Sequence, residues 1–241
     1  MKNAEFESNN IKRIQENIYP GRGIIIGKTP NNNFYVQVYW IMGRSNNSRN
    51  RIFEKYDNCV KTKAFDEKKL EDPTLIIYNP IKQLDYYHIV GNGDHTDTIY
   101  DYLCNSKTFE KSLESRYFEP DDPHYTPRIS GIINNNLDNP HYKLSILKSI
   151  NNNSEFCQRS FYNYENFISG YGHCIHTFKS DGHPLPSFDG EPFLVKLFDD
   201  IDENLNHFWN SLNQQNKVSL LVKYISVHSN EVTIKIKNKN Q

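Results

Sequence analysis

The 241-residue sequence has no excess of either charge: 28 Lys and Arg stand against 29 Asp and Glu, a net charge of −1. Extended nucleic-acid binding shows as a basic surplus, so no nucleic-acid partner is expected, although a local basic pocket remains open. No apolar run approaches the roughly 18 residues of a membrane span, and residues 1–17 lack the apolar stretch of a signal peptide. The four cysteines, Cys59, Cys104, Cys157 and Cys174, are scattered and form no Cys-x-x-Cys pair. That argues against zinc-ribbon, thioredoxin-like and disulfide-framework readings. These absences together predict a soluble, cytoplasmic protein with no membrane partner.

Familiar catalytic frames are missing too. There is no Gly-x-Ser-x-Gly, and Gly21, Gly23 and Gly27 lack the strand-before, helix-after setting of a dinucleotide or Walker loop. Nine histidines invite a metal reading, but no spacing matches a ligand frame. His173 and His176 lie three apart on an expected strand, so their rings point to opposite faces. Cys174 between them reads as a buried strand thiol. No metal site is assigned. Without repeats or a long linker, residues 1–241 are expected to form a single domain.

Short strands make up most of the chain. Expected strands are Ile24–Ile26, Phe34–Met42, Leu75–Tyr78, Tyr86–Val90, Arg128–Ile133, Tyr142–Ile150 and Gly172–Phe178, and a hairpin of Val218–Val227 with Val232–Ile236 turns near Asn230. Residues 5–17 read as a short helix, with Phe6, Ile11 and Ile14 as its apolar face. A second helix opens at His95, capped by Asp94 or Thr96. From Phe193 to Leu212 the apolar residues recur at helical spacing, with Pro192 suited to the first turn. This pattern predicts an α+β fold of stacked sheets with helices outside.

Polar loops end several of these strands. Gly43–Arg51 follows the apolar run Phe34–Met42 and packs three guanidinium groups with hydroxyls and amides, a composition that suits an anion or a solvated basic turn. Asn92–Asp97 and Glu119–Arg128 are of the same polar, turn-rich kind, and strand-end loops on a rigid sheet are where sites are built.

Five stretches, in order, carry a resemblance. They are Tyr-Pro-Gly-Arg-Gly from Tyr19, Gly-Arg-Ser-x-x-Ser-Arg-Asn-Arg from Gly43, Asn-Gly-Asp-His-Thr-Asp from Asn92, Glu-Pro-Asp-x-Pro-x-Tyr-Thr-Pro-Arg-Ile from Glu119, and Pro-Leu-Pro-Ser-Phe-x-Gly-Glu-Pro from Pro184. Together they resemble the archaeal-type IMP cyclohydrolase family, with the stretches around Tyr19 and Arg49 nearer its bacterial IMP cyclohydrolase-like relatives. The resemblance implies a four-layer αββα sandwich like that of the N-terminal nucleophile hydrolases. Met1 and Lys2 are not a nucleophile, so the fold is expected without that chemistry.

The resemblance also implies a reaction, closure of the purine ring of 5-formamidoimidazole-4-carboxamide ribotide to IMP. Nucleophile and electrophile share one molecule, so an enzyme mainly holds the reactive conformer and moves protons, with no cofactor. Tyr78 and Glu119 match the family's proton-transfer pair. Arg44, Ser45, Asn50 and Arg51 are assigned to the substrate, phosphate first, and Arg22 to an anion or the formyl oxygen. Asn92, Thr96 and Asp97 are assigned to the carboxamide or ribose, or else to capping. Arg128 is assigned to the substrate, or else to an ion pair with Glu119. The partner implied is a small purine nucleotide, and assembly as a homo-oligomer stays open. Two other readings remain: a nucleotide-binding module without turnover, and a different amide or cyclic-amidine hydrolase on the same scaffold.

Overall fold

The computed structural model describes residues 10–71 and 73–240. Thirteen strands form two antiparallel sheets. The first contains β1 (Gly23–Lys28), β2 (Phe34–Met42), β10 (Tyr171–His176), β11 (Phe193–Lys196), β12 (Lys217–Ser226) and β13 (Val232–Asn238), in the order β11-β10-β1-β2-β12-β13. The second runs in sequence order: β3 (Arg51–Tyr56), β4 (Cys59–Ala64), β5 (Ile81–Leu84), β6 (Tyr87–Gly91), β7 (Arg128–Asn134), β8 (His141–Ile150) and β9 (Asn153–Tyr164).

Strand β2 is apolar along both faces because both are covered: every residue from Tyr35 to Met42 is buried. Register sets the faces. Ile24 pairs with Tyr39, Ile26 with Gln37, and Gln37 with Lys223, so all five residues lie on one side of the first sheet. That side meets the second sheet. Gln37 Nε2 donates to the backbone oxygen of His88 at 3.0 Å, and Ile26 Cδ1 takes the space a Cβ on Gly131 would need.

Helices cover the outer faces. Residues 10–15 form α1, which buries Ile14 in the main core. Helix α5 (Ile201–Ser211) packs on β12 and β13, burying Leu205, Phe208 and Trp209. On the far side, α3 (His95–Cys104) and α4 (Phe109–Leu113) set Ile99, Phe109 and Leu113 against Ile89, Ile132 and Leu147. The short α2 (Asn46–Arg49) lies between the sheets in sequence, just after β2.

Several expectations need correction. Leu75–Tyr78 is a turn and an extended segment, not a strand. It is held against β4 by Thr62, whose hydroxyl donates to the backbone oxygen of Ile76 at 2.7 Å. The helix expected from Phe193 begins only after Asp200, whose carboxylate accepts from the N–H of Glu203 at 2.8 Å. Phe193–Lys196 instead adds β11 to the edge beside β10. Residues 52–72 read as one partner strand with connecting turns and instead hold two strands, β3 and β4, paired antiparallel, while β5 and β9 were not expected. At α3, Asp94 holds the N-cap position without a side-chain cap bond, because its carboxylate pairs with Arg116 and Arg128. Residues 5–9 of the first expected helix lie outside the described residues. His173 and His176 do face opposite ways: His173 stacks on Tyr164, His176 meets Phe188 and Phe193.

Candidate functional site

The site forms at one end of the two sheets, where the turn before β1 meets the loop after β2. Gly21 has φ +75°, and a Cβ there would lie 2.2 Å from Thr177 Oγ1, so only glycine fits. Thr177 clamps this turn: its N–H donates to the backbone oxygen of Arg22 at 2.9 Å, and its hydroxyl accepts from the N–H of Arg22 at 3.1 Å. Arg22 is thereby aimed between the sheets. Its Nη1 donates to both carboxylate oxygens of Glu119 at 3.0 Å, with only 12% and 2% of the two side chains exposed.

Glu119 is fixed by its own loop. Its N–H donates to the backbone oxygen of Thr126 at 2.9 Å, and Asp121 closes the same loop by accepting from the N–H of Thr126 at 2.6 Å. Burial pushes the Glu119 carboxyl above the ordinary range, opposed by Arg22 and Arg128. Arg22 stays cationic: Glu119 holds the guanidinium above its usual value despite burial.

The loop after β2 ties itself shut. Ser45 caps α2 by accepting from the N–H of Ser48 at 3.1 Å, while Ser48 Oγ accepts from the N–H of Ser45 at 3.0 Å, a reciprocal capping box. Arg51 donates to the backbone oxygens of Ser48 and Met42 at 2.8 and 3.1 Å. Its remaining nitrogen, Nη1, is buried with no protein acceptor, and no carboxylate pairs with it among the described residues. Arg44 reaches outward instead, to Asp181 at 2.6 Å and to the backbone oxygen of Gly182 at 3.1 Å, with its guanidinium 4.9 Å from the Tyr19 ring.

A pair of tyrosines lies within the electrostatic reach of both buried arginines. Tyr78 follows the Thr62 clamp, its N–H donating to Thr62 Oγ1 at 2.8 Å, and its hydroxyl lies 2.7 Å from that of Tyr39 on β2. Tyr39 is wholly enclosed, stacked on Phe53, and burial raises its hydroxyl well above the ordinary value. Arg22 and Arg51 act electrostatically on this pair.

A cavity of about 260 Å³ opens beside this group, lined by Tyr19, Arg22, Arg44, Ser45, Ser48, Arg51, Asp121, His124 and Thr126 among others. Of the residues expected at the site, Arg22, Arg44, Ser45 and Arg51 line it. Tyr78 and Glu119 do not, although Glu119 is bonded to Arg22, which does. The remaining expected residues fasten the frame. Asn50 bonds through both ends of its amide to the backbone of Asp66. Asn92 donates to the backbone oxygen of Pro127 and accepts from the N–H of Ile129, and Thr96 donates to Gly93. Asp97 pairs with Lys82 at 2.8 Å. The expected Glu119–Arg128 pair is not formed: Arg128 pairs with Asp94 at 2.7 Å. His95 Nε2 donates to the backbone oxygen of Ile129, so its Nδ1 accepts from Arg128 at 3.3 Å.

Sequence reasoning missed Tyr39 and His124. The first is hidden in an apolar run that reads as core throughout. The second is one polar residue among many in a proline-rich loop, and only its place in the cavity marks it. Among the described residues, no three of His, Cys, Asp or Glu converge to hold a metal.

The chain belongs to the family of IMP cyclohydrolase-like proteins, which matches residues 19–230. It is similar to the IMP cyclohydrolase of Methanocaldococcus jannaschii, 34% identical over 122 residues, 49% of this chain and 58% of that protein. It is also similar to the IMP cyclohydrolase of Methanococcus aeolicus, 31% identical over 123 residues, 49% of this chain and 60% of that protein. The chain thus matches somewhat more than half the length of these curated relatives.

Proposed function

We propose that the protein closes the purine ring of 5-formamidoimidazole-4-carboxamide ribotide to give IMP and water. One observation carries this reading: two buried guanidinium groups, Arg22 and Arg51, line one cavity, with Arg22 bonded to Glu119 and both arginines acting electrostatically on Tyr78. The carboxamide nitrogen attacks the formyl carbon, and one of its protons passes to the formyl oxygen to give a carbinolamine. That hydroxyl then leaves as water, taking up the proton lost by the former formamido nitrogen as the C=N bond forms. We assign these protons to Tyr78 and Glu119, and Arg22, which lines the cavity and donates to Glu119, presents its guanidinium to the formyl oxygen. Arg51, Ser45 and Arg44 hold the 5′-phosphate, the remote anchor that orients the base.

The layers support the same reading. Helices lie outside two stacked antiparallel sheets, and we place residues 1–241 in one four-layer αββα domain of the kind found in the N-terminal nucleophile hydrolases. Four free thiols fit a cytosolic enzyme, and no helix among the described residues is long and apolar enough to cross a membrane.

A binding module without turnover is favoured by one observation, that neither Tyr78 nor Glu119 lines the cavity. Incubating the pure protein with the formamido ribotide and following IMP decides. Turnover is expected, and no turnover with IMP binding retained rejects the cyclohydrolase reading. Glu119→Gln and Tyr78→Phe should each lower kcat by about 10²-fold while keeping IMP affinity. An unstable Glu119→Gln protein with full specific activity would end the catalytic claim for Glu119.

A further inference from the structure

The tyrosine pair has a direction. Tyr39 Oη and Tyr78 Oη are 2.7 Å apart, and distance alone leaves open which donates. Their surroundings differ. Tyr39 is 0% exposed, and among the described residues its hydroxyl has Tyr78 as its one hydrogen-bond partner. If Tyr78 donated, the Tyr39 proton would be left in the core without an acceptor, the costly outcome for a buried donor. If Tyr39 donates, its proton is satisfied, and the Tyr78 proton is the one left over. Tyr78 retains 5% exposure and lies beside Arg22 and Arg51, which line the cavity.

We infer that Tyr39 is a positioning residue: its hydroxyl donates to Tyr78, stays protonated itself, and reserves the Tyr78 proton for exchange with the ligand. This rests on the cyclohydrolase reading, in which Tyr78 handles a substrate proton. The high titration of Tyr39 agrees with a hydroxyl that keeps its proton throughout. Tyr39 also has the rigidity the role asks for. It sits mid-sheet on β2, paired with Ile24 on one side and Leu221 on the other, and its ring is stacked on Phe53 at 5.6 Å. Tyr78 hangs on a turn held by Thr62 and has no such frame of its own. A direction imposed from β2 therefore fixes a group that its own segment leaves free to rotate about the C–O bond.

The test is a double-mutant cycle on kcat and KM. Tyr39→Phe should lower kcat by about three- to tenfold with KM within about twofold. In a Tyr78→Phe background the same change should cost nothing further. Independent, additive losses would overturn the inference while leaving the cyclohydrolase reading standing. A wild-type protein that never turns over the ribotide would instead remove that reading and this inference with it. Melting temperatures test the direction without activity. Tyr78→Phe strands the Tyr39 proton, whereas Tyr39→Phe leaves Tyr78 an outlet, so Tyr78→Phe should melt lower. The reverse order would show that Tyr78 is the donor.

Discussion

Two residues apart on β2, Tyr39 and Gln37 face the second sheet in two unlike polar groups. Around Tyr39 the buried charges are provided for: Arg22 has Glu119, and Arg51 has two backbone oxygens and the wall of a cavity. Around Gln37 they are not. Lys223 is fully buried, and among the described residues its Nζ has no hydrogen-bond partner, nor have Gln37 Oε1 and His88 Nδ1. His88 Nε2 faces Asn230 Oδ1 at 2.7 Å, and the same oxygen takes a bond from Asn135 Nδ2. The ring proton is therefore on Nε2, and Nδ1 is an acceptor without a donor. Burial answers by removing charge, lowering Lys223 to about 7 and His88 to about 3. Charge is kept where a partner or a ligand cavity meets it, and given up a few ångströms further along the same strand.

Removing a charge from each group should therefore act with opposite sign, and the site end should respond most. Arg22→Met leaves the Glu119 carboxylate buried and unpaired, a loss of about 3–5 kcal/mol of stability near neutral pH. The loss should shrink in acid as Glu119 takes up a proton, and urea unfolding at pH 5 and pH 8 measures both. An equal loss at the two values would mean that Glu119 is already neutral in the native protein.

Lys223→Met should instead stabilise, by roughly 1–4 kcal/mol below pH 7. Above its unfolded value near 10.5, Lys223 is neutral in both states and costs nothing. Between there and about 7 only the unfolded chain binds the proton, so stability falls as pH drops through that window, and below it the penalty is complete. The variant should lack this slope, and thermal melts from pH 6 to pH 10 compare the two. A destabilised Lys223→Met protein would show that Lys223 holds a partner the two sheets share.

The ligand side of the comparison is sharpened by leaving out a phosphate. IMP should bind at least about tenfold more tightly than inosine, since charge-assisted bonds are worth roughly 1.5–3 kcal/mol each. Equal calorimetric affinities would move the phosphate away from Arg44 and Arg51. The smallest effect belongs to the rim. The Arg44–Asp181 pair is about one-third exposed or more on both sides, so Asp181→Asn should change stability by less than about 1 kcal/mol. The same change frees Arg44 and should tighten IMP binding by a few fold, most clearly at low salt.

How much of this was legible in the sequence follows from where each signal lay. Strand β2 was plain because eight consecutive buried residues leave no alternation to misread. Phe193–Phe198 fits helical spacing and strand pairing equally well, and only the open edge of β10 decides for the strand. Strand β9 was invisible because it is a polar, exposed edge after an asparagine turn. At the site, Arg22, Arg44 and Arg51 stood in recognisable motifs, but so did Asn50, Asn92 and Arg128, which serve the frame. Motifs marked the neighbourhood without separating residues that meet the cavity from those that hold its walls. Tyr39 and Lys223 carried no signal at all, since a tyrosine or an alternating lysine in an apolar strand reads as packing or as surface.

Gly93 shows what that frame asks of the chain over time. Its φ lies outside the left-handed region, so any residue could take its backbone shape, yet a Cβ there would lie 2.4 Å from Arg128 Nη1 and 3.5 Å from Glu119 Oε1. The glycine supplies room rather than freedom. Positions 93 and 128 are thus coupled as lineages diverge: Gly93→Ala must displace the end of the Arg128 side chain, by its turning aside or by a shorter residue there, and either change disturbs its pairing with Asp94. A drift that began at this one hydrogen atom would reach the start of α3 before it reached the carboxylate.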